Sequence, residues 1–417
     1  MTKTAACTPS VGQIDPSLLI AMRGNRWPDR GLVQAVAIYM VIAYVPMLWH
    51  VFAEATGHVG SDFQAFWGAG RLIMAGQSWS AYDVVAEQGA QAASHTGHFV
   101  PFVNPPPYLF LAAPLAMMPY GAAWLAWALG GWAVWFAVCR RLLPGQSLIL
   151  LSCPAAYLAA CHAQNGFVTG ALLVGGVMAL SRADRRGDRI AGALFGALVI
   201  KPHLALLVPL WLIAGRRWGA LGAMAVSTVL LCLLALIVFG PQTWAAWPHS
   251  FPVSAALIEH GGRAFFLRMA TPYALIRVLV GANAALAGQI VIMLAMATMV
   301  WRETRRDGVN AATGALMLAA TAMASPYLFS YDLPFLVQPV LWLVTTARTK
   351  GWRPWEKTGV IALWLAPLAT RVAALPLHAN LMPFASAALV WMVTSRLQNQ
   401  PDRSINNQRV KRAQVIG

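Results

Sequence analysis

IAGALFGALVIKPHLALLVPLWLIAG, residues 190–215, is an apolar run bounded by Arg189 on one side and by Arg216 and Arg217 on the other. A single charge interrupts it, Lys201, followed at once by Pro202 and His203. The run is long enough to enter a hydrocarbon core, which a helix crosses in about 20 residues. Both of its ends are basic, so it forms a tight broken hairpin or dips in and out, and Lys201 sits deep or at the outer mouth. Irregular backbone at that depth is tolerated only where it faces protein or a wet cavity. A lysine at the centre of a spanning helix costs about 2.5–3.5 kcal/mol, so something must offset it.

The arginines that flank this run belong to a wider pattern. Basic groups recur between apolar segments: Arg23, Arg26 and Arg30; Arg140 and Arg141; Arg182, Arg185, Arg186 and Arg189; Arg216 and Arg217; Arg302, Arg305 and Arg306; Arg348, Lys350, Arg353 and Lys357; and five between 396 and 412. With Lys3 they hold 24 of the 30 lysines and arginines, all in short loops or tails, which is the positive-inside signature of a cytoplasmic face. The net charge of +16 is therefore a topology signal and not a nucleic-acid footprint. Only 11% of the 417 residues are charged and 59% are hydrophobic, against about 25% charged in a soluble domain. Lipid is the expected solvent.

With those loops inside, the apolar segments alternate across the membrane. The reading is an all-α integral membrane protein, a polytopic bundle of about 12 transmembrane helices. Spans are expected near 32–52, 121–139, 146–160, 165–181, 190–200, 203–215, 219–239, 282–301, 311–325, 333–347, 358–373 and 382–395, with 105–118 re-entrant or interfacial. The domain runs from 32 to 396, between a cytoplasmic N-terminal tail, 1–31, and a basic cytoplasmic tail, 397–417. The N-terminal stretch is polar and basic without an apolar core, so it does not read as a removed signal peptide. The five cysteines form no CxxC pair and read as small apolar fillers.

Two long segments fall outside: 54–104, with an interfacial helix expected over 63–76, and 241–271, rich in Trp and Phe. Asp62 lies about ten residues beyond the first span, between Ser61 and Phe63. There it serves either as a general base for a hydroxyl or as the N-cap of the following helix. Lys201 suits a lipid phosphate, with His203 as a second donor, or is held by a carbonyl or an internal acid such as Asp332. Asp332, in ASPYLFSYDLPFL, binds a sugar hydroxyl or serves as a cap or structural ion pair. Gln164 and Asn165, before Gly166, make a turn whose amides bind sugar hydroxyls or cap helices. Arg263, Arg268 and Arg277 are the rare outer-side arginines, suited to phosphate or to anionic headgroups. No Walker loop, GxGxxG, GxSxG or HExxH occurs.

Five stretches in order, SDFQAFWGAGRLIMAGQSWSAYD (61–83), NPPPYLFLAAPLAMMPY (104–120), QNGFVTGALL (164–173), KPHLALLVPLWLIAGRRW (201–218) and SPYLFSYDL (325–333), resemble glycosyltransferase family 87. That family includes polyprenol-phosphate-mannose-dependent mannosyltransferases of the C-type fold. The resemblance implies inverting transfer of a hexose, with mannose one candidate, from a polyprenyl-phosphate donor to a glycan or glycolipid acceptor, on the outer face of the inner membrane. It maps the catalytic base onto Asp62 and the holding of the leaving phosphate onto Lys201; beside them His203 and Arg268 are expected at the donor phosphate, and Arg71, Gln164, Asn165, Tyr331 and Asp332 at the substrate. No metal or other cofactor is expected. One departure matters: where some relatives carry Ser-Pro followed by paired histidines, this chain has Ser330-Tyr331-Asp332. The competing readings are a transporter or flippase for a lipid-linked or small polar solute, which midplane charges and broken helices also suit, and a non-catalytic scaffold.

Overall fold

The computed structural model describes residues 28–57, 59–97 and 99–398. His58, His98, the tail to residue 27 and the tail from residue 399 lie outside the described residues. Among the described residues the chain is helical throughout, and its one β-type contact is an isolated antiparallel bridge between Met269 and Phe329.

Helices occupy the expected apolar segments, but their lengths differ from a run of twelve full crossings. Four stretches are long and apolar enough to cross a membrane: Arg30–Thr56, Tyr120–Cys139, Trp218–Arg268 and Ala282–Asp307. The third is broken by positive-φ glycines at Gly240 and Gly262. Others are shorter, such as Gly166–Leu180, Ala311–Ala324 and Val208–Ala214. At about 1.5 Å per residue a 15-residue helix reaches only about 22 Å, short of a hydrocarbon core. Proline is the local reason in two places. Pro154 starts a new helix after Ser147–Leu151, and Pro202 separates the turns Ala197–Ile200 and Pro202–Ala205.

The long helices carry apolar residues on their exposed faces: Ile42 and Val45 on the first, Leu230, Leu233 and Ile237 on the third, Val291 and Leu294 on the fourth. Exposed apolar stripes of that extent fit lipid. Inside the bundle the logic reverses. Ala311–Ala324 is apolar all round and almost wholly buried, packed among Gly166–Leu180, Ala282–Asp307, Val337–Lys350 and Met382–Gln398. The 190–215 run is broken at Lys201 into the end of Arg185–Gly196, two short turns and Val208–Ala214, and Arg185–Gly196 lies against Trp218–Ala246 beyond the run. A methyl at Gly192 would stand 2.5 Å from the Ala220 carbonyl oxygen, so the two backbones meet through glycine, as membrane helices do without a hydrophobic drive between them. Ser227 and Thr228 add hydroxyl bonds to the carbonyls of Ala193 and Gly196.

The helix expected to lie along the membrane interface is placed differently. Phe63–Met74 is buried on nearly every side, with Phe63, Phe66 and Trp67 in an aromatic cluster with Phe102, Tyr108, Tyr120 and Trp127. Its period-3.6 apolar face was legible, but the small residues opposite are also covered. A methyl on Gly70 would stand 2.3 Å from the Ala112 carbonyl oxygen, and one on Gly68 would meet Gln91. Val84–Ala92 closes this layer through buried Glu87, whose carboxylate receives the Phe102 amide; burial pushes that carboxyl well above its ordinary range. The segment from 59 to 108 is thus a packed layer that fixes where the chain entering at Asp62 points.

Candidate active site

Asp62 is anchored through its neighbours. Gly60 takes a positive φ of 76° to turn the chain, and the Ser61 hydroxyl is fixed by the Trp124 indole at 3.1 Å and by Tyr120 at 3.3 Å. Asp62 stands at the head of Phe63–Met74, yet its side chain makes no capping bond to that helix. The carboxylate turns instead toward the next polar turn: its Oδ2 accepts from Gln164 Nε2 at 3.3 Å and lies 4.0 Å from His162 Nδ1. About a third of the Asp62 side chain remains exposed. The capping alternative is thereby removed by geometry.

That turn follows from local chain chemistry. Pro154–His162 ends at Ala163, which adopts a left-handed conformation, and Gly166–Leu180 begins three residues on. Gly166 is required: a Cβ there would fall 1.9 Å from the Tyr331 carbonyl oxygen. The turn therefore presses directly on the 330–336 segment. Tyr331 lies in that connection outside the spans, its ring 5.1 Å from His162. Burial, and then the Asp62 charge, push the Tyr331 hydroxyl well above its usual range, so it stays protonated.

Lys201 is buried, with 7% of its surface exposed, at the irregular hinge between the two short turns. Its ammonium donates to Asn165 Oδ1 at 3.0 Å and to Asp332 Oδ1, and lies 5.6 Å from the centre of the Tyr331 ring. Asp332, fully buried, also accepts from the Phe329 amide through Oδ2. Of the two sequence alternatives for Lys201, the internal acid is the one observed, and Asp332 is correspondingly a structural ion-pair partner. His203 sits beside this group with its ring 6.0 Å from Tyr327, and its Nε2 is buried without a hydrogen-bond partner among the described residues.

Arg268 and Arg371 line a narrow pocket, with room for little more than a water molecule, together with Ser330 and Thr370. Neither guanidinium has an ion-pair or hydrogen-bond partner among the described residues, and the Thr370 hydroxyl is buried and equally unpartnered. Both arginines act electrostatically on His162, and Arg371 also feels Asp62 and Tyr331, so acid, imidazole and the two cations form one field. A narrow apolar crevice adjoins this pocket and shares Leu333, Pro367 and Met382 with it; the rest of its lining includes Leu336, Val340, Leu363 and Leu389.

The structure thus gathers Asp62, Gln164, Asn165, Lys201, Tyr331 and Asp332, with Arg268 within electrostatic reach. Arg71 does not join them. It stacks on Trp67 at 4.9 Å from the far end of a 12-residue helix, about 13 Å along the axis from Asp62. Arg277 is paired with Glu259 and lies against Phe266. Two residues at the site were missed by sequence reasoning, His162 and Arg371. Their signal was available, an ionisable side chain at the end of an apolar helix. Among the described residues no three His, Cys, Asp or Glu side chains converge as a metal would require.

Residues 102–326, more than half of the chain, match the model of glycosyltransferase family 87. The match includes Gln164, Asn165, Lys201, His203 and Arg268, begins after Asp62 and ends before Tyr331. No curated protein and no solved structure matches the chain.

Proposed function

The chain belongs to glycosyltransferase family 87, and from that premise we propose that it transfers a hexosyl unit from a polyprenyl-phosphate donor to a glycan or glycolipid acceptor on the outer membrane face. Asp62 is the general base of an inverting step. Its carboxylate takes the proton of the acceptor hydroxyl as that oxygen bonds to the anomeric carbon. The bond from that carbon to the phosphate oxygen breaks on the opposite face, and the electron pair leaves with the phosphate. One carboxylate suffices, since no glycosyl-enzyme ester is formed.

The observation that carries this reading is a half-open Asp62 carboxylate that feels the charge of Arg371, which shares a pocket with Arg268, neither guanidinium having a partner among the described residues. Arginine's planar fork suits a departing phosphate, and an unpartnered Thr370 hydroxyl in the same wall offers a further donor. Lys201, committed to Asp332 and Asn165, leaves that task to Arg268 and Arg371 and serves to fix the turn carrying Gln164. A lipid-linked donor, as opposed to a soluble one, is supported by the apolar crevice that shares Leu333, Pro367 and Met382 with the arginine pocket.

The test is transfer from radiolabelled polyprenyl-phosphate sugars in membranes carrying wild-type or D62N protein. The substitution keeps shape and the Gln164 contact but removes the proton acceptor, so activity falls by on the order of 10²–10⁴-fold at unchanged protein level. Wild-type turnover by D62N removes the assignment.

A further inference from the structure

Among the described residues His162 is the imidazole that approaches the Asp62 carboxylate, and nothing in the transfer step described above assigns it a task. It ends the Pro154–His162 helix, two residues before Gln164, and left-handed Ala163 between them swings both side chains toward the same atom. Gln164 Nε2 meets Asp62 Oδ2 at 3.3 Å and His162 Nδ1 stands 4.0 Å from it. Asp62 Oδ1 has no hydrogen-bond partner among the described residues. The two oxygens of one carboxylate are therefore unequal: one is tethered from the turn and the other is open. The His162 ring is itself held, tilted on Tyr331 at 5.1 Å and surrounded by the charges of Asp62, Arg371, Arg268 and Asp332.

We propose that His162 is a positioning residue for Asp62, which together with Gln164 tethers Oδ2 so that Oδ1 is the atom that receives the acceptor proton. The proposal rests on the assignment of Asp62 as base. In the step, the acceptor O–H proton passes to Oδ1, the acceptor oxygen bonds to the anomeric carbon, and the phosphate leaves with the electrons of its C–O bond. At 4.0 Å the His162 contact is an approach and not a hydrogen bond. Catalytic contacts of this kind are commonly long in an empty site and shorten when substrate closes it. A small rotation of either side chain brings Nδ1 within bonding distance. Fixing the carboxylate's rotation matters because proton transfer and attack must occur in one geometry, where a displacement of about 1 Å costs on the order of 100-fold.

The experiment measures kcat and donor KM for H162A, H162N, H162Q, Q164A and the H162A/Q164A pair, beside D62N. The expected result for H162A is a fall in kcat on the order of 10- to 100-fold with donor KM nearly unchanged. H162N recovers most of that loss, because the asparagine amide nitrogen occupies the place of Nδ1, whereas the H162Q nitrogen falls near Nε2 and recovers little. The double variant loses less than the product of the single losses, since both side chains act on one oxygen. An unchanged kcat in H162A, a change confined to KM, or H162N no better than H162Q overturns the proposal. If H162A fails to accumulate in membranes, the comparison of H162N with H162Q decides alone. Full activity in D62N points to failure of the base assignment, whereas an inactive D62N with a fully active H162A sinks only the positioning role.

Discussion

A buried ammonium needs a counter-charge, and Lys201 finds one in Asp332, 131 positions along the chain. Sequence alone disclosed half of this: a lysine between Ile200 and Pro202 in an apolar run had to be offset, and Asp332 was one available acid. It did not reveal that Asn165 completes the set, because the turn bringing it there depends on Gly166 lying against the Tyr331 backbone. Arg371 escaped for a similar reason. A charge near a helix end is equally at home among headgroups, and only packing places it in a cavity beside Arg268. The observed pairing makes a prediction opposite in kind to that of a phosphate-binding lysine. K201A strands the fully buried Asp332 carboxylate and lowers stability by about 3–5 kcal/mol, read as a large drop in Tm of detergent-solubilised protein. K201M/D332N, which removes both charges, recovers part of that Tm. A K201A protein with wild-type Tm and a raised donor KM returns Lys201 to the phosphate.

Elements meet here through turns as much as through helix faces, and the turns carry the site. The apolar spacing of 166–180 foretells a helix; nothing in that spacing foretells that its first residue must have no side chain. The reason is the Tyr331 carbonyl oxygen, which a Cβ on Gly166 would approach to 1.9 Å, a backbone contact that no rotamer change relieves. G166A therefore drives the 330–336 turn away from the Gln164–Asn165 turn, separating Asp332 from Lys201 and Tyr331 from His162. Transfer activity is expected to fall more than about 10-fold, with stability lower by about 1–3 kcal/mol from overpacking. The control is G89A in Val84–Ala92, where an added methyl meets nothing within 4 Å and activity should be retained. Equal behaviour of the two variants in transfer and thermal unfolding would show that the close approach does not position the site. The same contrast explains the interfacial helix expected over 63–76. Its apolar face was visible in the sequence, but the covering of Gly68 and Gly70 by Gln91 and Ala112 is a tertiary fact.

At the scale of the whole molecule the membrane class was legible and the number of crossings was not. Composition and flanking arginines require lipid around the bundle, whereas short helices joined through Pro154, Pro202 and the 330–336 turn blur what one crossing is. Orientation is the claim that joins this architecture to chemistry, because a lipid-linked donor on the outer face is useful only if Asp62 opens there. Arginines clustered at 182–189 and 302–306 resist translocation, which supports an orientation that puts the segment 59–97 outside, across the first span from the basic residues that precede it in the sequence. Exposed positions on each side make this measurable by single cysteines in a background stripped of the native ones. With a membrane-impermeant maleimide on intact cells, G97C is expected to label at once, and R185C only after permeabilisation, as both positions are exposed in the fold. Label on R185C but not G97C in intact cells would invert the protein. The Asp62 carboxylate would then face the cytoplasm and its nucleotide-sugar pools, and the outer-face donor would have to be abandoned even if D62N proved inactive.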